Sequence, residues 1–265
     1  MSKKPTISII GAGNVAWHLA PALENIGYVV NEVYSRDIKK AKALVKNLYD
    51  AEAVNDLDFR ESNALIFIVA VSDKAIKKVA NGIDLPTGAI LVHTSGSQPM
   101  EVLAYAGTSN IGVFYPLQTF SKHSKMDFSD IPICVEAEKK EVRKLLKSMA
   151  TQLSKKVYKT NSESRKALHV AAVFACNFTN HLFSISEGIM KKNKMDFEML
   201  KPLIVETVNK MLDSGAQKSQ TGPAVRGDFE IMDDHLTFLN DNKKQAEIYQ
   251  LLSQHIVDTY LEKDD

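Results

Sequence analysis

Residues 6–36 constrain this chain more than any other stretch. Thr6-Ile7-Ser8-Ile9-Ile10 is an apolar strand pattern, and Gly11-Ala12-Gly13-Asn14-Val15-Ala16 follows at once. A run with Val15, Leu19, Leu23 and Ile26 at helical spacing comes next, then Gly27 as a helix stop, then a second apolar run from residue 28 to 34. Strand, glycine turn, helix and strand in about thirty residues is the length of one βαβ unit. The glycine pattern is G-x-G-x-x-A. Gly11 allows the tight turn, Gly13 leaves the backbone open to a pyrophosphate, and Ala16 lets the helix pack closely on the strand. The helix start, with Asn14 and Val15, offers free N–H groups and a positive dipole end to phosphates. A lone G-x-G-x-x-A is a weak signal, but its place between a strand and a helix is the context a dinucleotide site requires.

The end of the second strand selects the dinucleotide. An acidic residue there would bond the ribose 2′-OH of NAD. This chain instead carries Tyr34-Ser35-Arg36-Asp37, with Arg36 20 residues after Ala16. A guanidinium holds a 2′-phosphate through paired charge-assisted bonds, and Ser35 adds a hydroxyl, so NADP is expected. Asp37 is expected to cap the next helix, because Ile38, Ala41, Leu44, Val45 and Leu48 follow at helical spacing.

The 265 residues suffice for two domains. Apolar runs at 64–71 and 89–92, a shorter one at 111–114, and strands near 131–135 and 157–158 around a helix at 138–153 continue the alternation. They predict an α/β fold with a Rossmann-type, doubly wound, mostly parallel sheet. From Ser162 onward no strand pattern remains. Helices are expected at about 162–190, 197–213, 229–239 and 243–262, with Asp196 as a cap and Gly215 as a stop. The expected division is an NADP-binding domain at 1–160 and an all-helical substrate and dimerisation domain at 161–265.

Lys and Arg number 33 against 32 Asp and Glu, a net charge of +1, which argues against broad attraction to nucleic acid or an anionic membrane. Met1-Ser2-Lys3-Lys4-Pro5 leads straight into a strand, leaving no room for a signal peptide, and no apolar run is expected to reach bilayer-spanning length. Cys134 and Cys176 show no metal-ligand spacing and are expected as buried thiols in a cytoplasmic protein; no metal is expected.

Ligands of open α/β sheets bind beyond the carboxyl ends of the strands. Val71-Ser72-Asp73 is one such loop. Ser72 can contact the cofactor or cap the following helix, and the two roles are compatible. His93-Thr94-Ser95-Gly96-Ser97 is a second, where small hydroxyls leave space and offer donors to a carboxylate or carbonyl. Thr94 is expected at the cofactor, Ser95 in catalysis and Ser97 at the substrate. In the third loop Tyr115 and Gln118 line the cleft or pack between domains. On the helix at 169–181, a uniform 100° per residue brings His169, Asn177, Asn180, Ser184 and Glu187 within a quarter-turn. This stripe is expected to face a substrate, with His169 as general acid or base beside Asn177 and Asn180. Arg226, between Gly222 and Gly227, either presents a cation to an anionic substrate or pairs locally with Asp228.

G-A-G-N-V-A, H-T-S-G-S, Y-P-L-Q-T-F, H-V-A-A-V-F-A-C-N-F-T-N-H and G-P-A-V-R-G-D together resemble the bacterial Rossmann-like family labelled "putative NADP oxidoreductase", whose C-terminal half is a domain of unknown function. The resemblance covers nearly the whole chain. It implies a helical domain similar to those of 6-phosphogluconate dehydrogenase and pyrroline-5-carboxylate reductase, and a homodimer. Related hydroxyacid dehydrogenases carry a catalytic lysine four residues before an asparagine on the long helix. Here those positions are Val173 and Cys176, so that chemistry does not carry over. Family members often have histidine where this chain has Tyr115. The function expected is hydride transfer between NADP and a small oxo, hydroxy or imino compound in an interdomain cleft. The alternative is a non-catalytic NADP sensor.

Overall fold

A computed structural model describes residues 4–122 and 124–261. The apolar runs become strands and the amphipathic runs between them become helices. In order these are β1 (Thr6–Ile10), α1 (Asn14–Asn25), β2 (Val29–Tyr34), α2 (Ile38–Val45), β3 (Glu52–Val54), β4 (Ile66–Val69), α3 (Asp73–Gly82), β5 (Ile90–His93), β6 (Ile111–Pro116), β7 (Ile133–Glu136), α4 (Lys140–Leu153) and β8 (Val157–Lys159). A 3-10 turn, Met100–Ala106, joins β5 to β6. The eight strands form one sheet in the order β3-β2-β1-β4-β5-β6-β7-β8. Every pairing is parallel except β6 with β7. The direction of building reverses between β1 and β4, the switch point at which such sheets open a crevice.

Side chains alternate across the strands, and both faces are covered. Ile66 and Ile68 pack with Leu19, Leu23, Leu44, Leu146 and Met149 on the side of α1, α2 and α4. Phe67 and Val69 pack with Ile76, Val79 and Leu103 on the side of α3. Each fully buried Leu or Ile contributes about 1.5–3 kcal/mol, so the sheet is the most strongly held part of the chain. Gly27, at φ +88, ends α1 as the sequence predicts. Asp37 caps α2, its carboxylate accepting the Lys39 N–H at 3.1 Å.

The remainder is helical: α5 (Ser162–Ala172), a π-helical segment (Val173–Phe178), α6 (Thr179–Lys192), a 3-10 turn (Phe197–Leu200), α7 (Lys201–Ser214), α8 (Ala216–Ser219), α9 (Pro223–Arg226), α10 (Phe229–Phe238) and α11 (Lys243–Tyr260). Asp196 and Gly215 bound these helices where expected. The residues flanking the described chain, Met1-Ser2-Lys3 at the start and the predicted helix end at 262, lie outside the described residues. The chain forms two compact units, Met1–Phe174 and Ala175–Asp265. The first extends beyond residue 160 because Arg165 ties α5 to the sheet.

Three sequence expectations change. Ser162–Lys192 is one helical run of 31 residues, long and apolar enough by length and composition to cross a membrane. The sequence predicts the helix, at about 162–190, but no apolar run of bilayer-spanning length; Asn177, Asn180 and His181 interrupt the apolar stretch without lowering the mean hydropathy of the helix below that of a span. Within it, the π segment bonds i→i+5, so positions before and after it no longer share the face that a uniform 100° step assigns them. Of the residues of this helix only Arg165 and Met190 are buried. Finally, Cys134 is buried but Cys176, in the π segment, is exposed.

Candidate functional site

Two neighbouring sites stand at the carboxyl ends of the strands of the first unit. The glycine turn builds one of them. Gly11 has φ +123, and a Cβ there would lie 2.3 Å from the Ala70 carbonyl oxygen, so glycine is required on both counts. Gly13 precedes α1 and supplies no side chain to cap it, which leaves the first N–H groups of the helix available. The cavity above this turn has a volume of about 640 Å³. Gly11, Gly13, Asn14, Val15, Ser35, Arg36, Val71 and Ser72 all line it. Ser72 stands at the N-cap position of α3 without a side-chain bond to the helix, so its hydroxyl remains open to a ligand.

Two lysines not singled out from the sequence line this cavity with Arg36: Lys40, four residues after it, and Lys78 on α3. Among the described residues, no carboxylate pairs with any of the three. Three cations without a carboxylate partner thus line one cavity together with Ser35, an arrangement suited to a dianion. The i, i+4 spacing of Arg36 and Lys40 was the available sequence signal.

Arg165 organises the second site. It is fully buried on the first turn of α5 and forms an ion pair with Glu136 at the end of β7. Its Nε donates to the Ser95 carbonyl at 3.0 Å, and its Nη2 donates to the Gln98 carbonyl. One side chain thus holds both ends of the loop after β5 and fixes α5 against it. One turn later on the same face, His169 Nδ1 lies 3.2 Å from the Tyr115 hydroxyl. Gly96 makes this packing possible, since a Cβ there would lie 2.7 Å from Tyr115 Cζ and 2.8 Å from His169 Nδ1. Burial pushes the Tyr115 phenol up to about 12, helped by Cys134 and Asp73 and opposed by Arg165, so the hydroxyl keeps its proton.

The loop itself is held by polar contacts. Ser95 Oγ accepts the N–H groups of Ser97 and Gln98, at 3.1 and 3.0 Å. Ser97 Oγ donates to Asp73 Oδ2 at 2.5 Å. Thr94 is buried, donates through its N–H to the Val69 carbonyl at 3.1 Å, and is not among the residues that line the cavity above the glycine turn. His93 is fully buried; its Nδ1 accepts the Ser95 N–H at 3.1 Å, and burial, followed by the charge of Arg165, lowers its pKa to about 4. Gln118 folds onto its own loop, accepting the Thr119 N–H at 2.9 Å.

Asn177, Asn180 and Arg226 belong to the second unit. Asn177 and Asn180 are exposed along the long helix. Arg226 takes the local partner, with Nε 2.8 Å from Asp228 Oδ2.

A Rossmann-like domain model matches residues 2–114, and a domain of unknown function, DUF2520, matches residues 131–256. No curated protein matches the chain. Among solved structures, a putative NADP oxidoreductase from Bacteroides fragilis is 40% identical, with 97% of this chain and 99% of that chain covered and a TM-score of 0.87. A protein from Thermotoga maritima shares the fold at 22% identity, with 96% and 98% covered and a TM-score of 0.68. So does a reductive aminase from Aspergillus terreus, solved with NADPH and ethyl levulinate, at 13% identity, 96% and 92% coverage and a TM-score of 0.71. With that identity to the Bacteroides fragilis protein over nearly both full lengths, the chain belongs to the family of that putative NADP oxidoreductase, its Rossmann-like domain followed by a DUF2520 domain.

Proposed function

We propose that this protein is an NADP-dependent oxidoreductase that transfers hydride between the nicotinamide and a small oxo, hydroxy or imino compound. The observation that carries the reading is the trio Arg36, Lys40 and Lys78, unpaired around Ser35 in the cavity that begins at the glycine turn. A 2′-phosphate is the part of a dinucleotide that three cations fit. When bound, NADP would carry the hydride, given up by its reduced form or taken up by its oxidised form, and the chain's own residues position the substrate and move the proton.

The Tyr115–His169 pair supplies that proton. In the direction of reduction, the Tyr115 hydroxyl donates to the substrate oxygen or nitrogen, and His169 restores it. Ser95 shapes the loop, and Ser97 with Asp73 presents polar groups to the substrate. Asn177 and Asn180 stay candidates on sequence grounds. Incubating the protein and NADPH with a panel of small ketones, aldehydes and imines tests this reading. Oxidation of NADPH with any of them supports it, whereas tight NADPH binding with no turnover across the panel favours the sensor.

We infer further that the working division lies near residue 160 and that the helical part assembles a homodimer. Among the described residues of the second unit, only Met190, Ala224, Leu239 and Ser253 are buried, while Leu212 and Leu251 are 70% and 71% exposed. Helices that hide so little of their own apolar surface need a second copy, and two-fold pairing is the commonest arrangement. Asn177, Asn180, His181 and Glu187 would be costly in a bilayer, so the long helix is read as a protein-contact element of a cytoplasmic protein. Light scattering at micromolar concentration should give twice 29.4 kDa; a mass of 29.4 kDa would sink the dimer.

A further inference from the structure

We propose that Lys122 is a pyrophosphate-binding residue, brought to the glycine turn by the loop between β6 and β7. The inference rests on the dinucleotide reading and extends it to a residue far from the motif. That loop is fastened to α1 at several points. Asn14 Nδ2 donates to the Phe120 carbonyl at 3.0 Å, and His18 Nε2 lies 2.7 Å from the Ser121 carbonyl. The rings of His18 and Phe120 stack at 5.9 Å. The backbone is thereby held so that Lys122 reaches over the turn. Its Nζ donates to the Ala12 carbonyl at 3.2 Å and lies 4.6 Å from the centroid of the Trp17 ring.

Both partners are neutral, and among the described residues no carboxylate pairs with Lys122. The ammonium is therefore positioned but not neutralised. It lines the same cavity as Gly11, Gly13 and Asn14, beside the positive end of α1. Carbonyl and ring fix where the charge sits, and a phosphate oxygen is the counter-charge the site lacks. Arg36, Lys40 and Lys78 serve one end of the cofactor, and Lys122 serves its middle.

The two contributions separate in a binding experiment. Lys122→Gln keeps a donor for the Ala12 carbonyl but removes the charge, so it tests charge rather than tethering. NADPH carries both the pyrophosphate and the 2′-phosphate, whereas adenosine 2′-monophosphate carries only the latter. By calorimetric titration, Lys122→Gln should weaken NADPH about tenfold, the scale of one charge-assisted bond, and leave adenosine 2′-monophosphate unchanged. Lys122→Arg should restore most of the loss, which guards against a folding defect in the glutamine variant. Unchanged NADPH affinity in Lys122→Gln, or equal weakening of both ligands, overturns the role of Lys122 alone. A wild-type protein that binds neither ligand overturns the dinucleotide reading and this inference with it.

Discussion

The hydroxyl of Tyr115, at the end of β6, and Nδ1 of His169, on α5, face each other at 3.2 Å across the backbone of Gly96. The phenol keeps its proton at working pH, and the imidazole behind it can pass one on. Tyr115→Phe keeps the ring and removes the donor. It should lower kcat about a hundred- to ten-thousandfold, the range for loss of a general acid, while leaving NADPH affinity within about twofold. Steady-state kinetics with any substrate found in the panel, alongside calorimetry, checks this.

Gly96→Ala tests the same packing from the other side. The new methyl has no room between Tyr115 and His169, so one of the two must move. Overpacking of this kind should cost about 1–3 kcal/mol of stability and separate the pair. A urea denaturation curve that matches wild type would contradict the geometry.

Arg165 carries a heavier load. Arg165→Met would leave the Glu136 carboxylate and the carbonyls of Ser95 and Gln98 without their partner in a buried place. Breaking a buried ion pair from one side typically costs about 3–5 kcal/mol. The midpoint of urea unfolding should fall accordingly, with the slope of the transition unchanged.

His93 makes stability depend on pH. Its folded pKa of about 4 lies below the ordinary histidine value, so between the two the unfolded chain binds more protons. The stabilisation is therefore complete above about pH 6.5 and is lost as pH falls towards 4, by at most about 1.4 kcal/mol per pH unit. His93→Asn keeps an acceptor near the Ser95 N–H and cannot titrate. Thermal unfolding of this variant should show a shallower decline over that window than wild type.

The parts of this molecule written in short-range pattern were legible before the structure. Gly11, Gly13 and Ala16 announce the turn because only small residues satisfy its backbone and packing. Arg36 marks its strand end because the position usually carries an acid. The loss of strand patterning at Ser162 marks where the sheet ends. What escaped depends on contacts distant in sequence. Arg165 reads as one more helical cation, and only the fold shows that the β5 loop closes over it. Lys40, Lys78 and Lys122 are ordinary lysines until three separate segments meet at one cavity. The π segment at Val173–Phe178 has no sequence signature that α-helix would not share, so the stripe drawn through His169, Asn177 and Asn180 assumed a regularity the helix lacks.

The proposed selectivity for NADP rests on Arg36, and calorimetric titration of NADPH and NADH into wild type and Arg36→Ala tests it most directly. Wild type should bind NADPH more tightly than NADH. Arg36→Ala should weaken NADPH by roughly 1.5–3 kcal/mol, the range for a lost hydrogen bond to a charged group, and leave NADH nearly unchanged. Equal affinities of the wild type for the two cofactors, or equal losses of both in the variant, would contradict a 2′-phosphate site at Arg36.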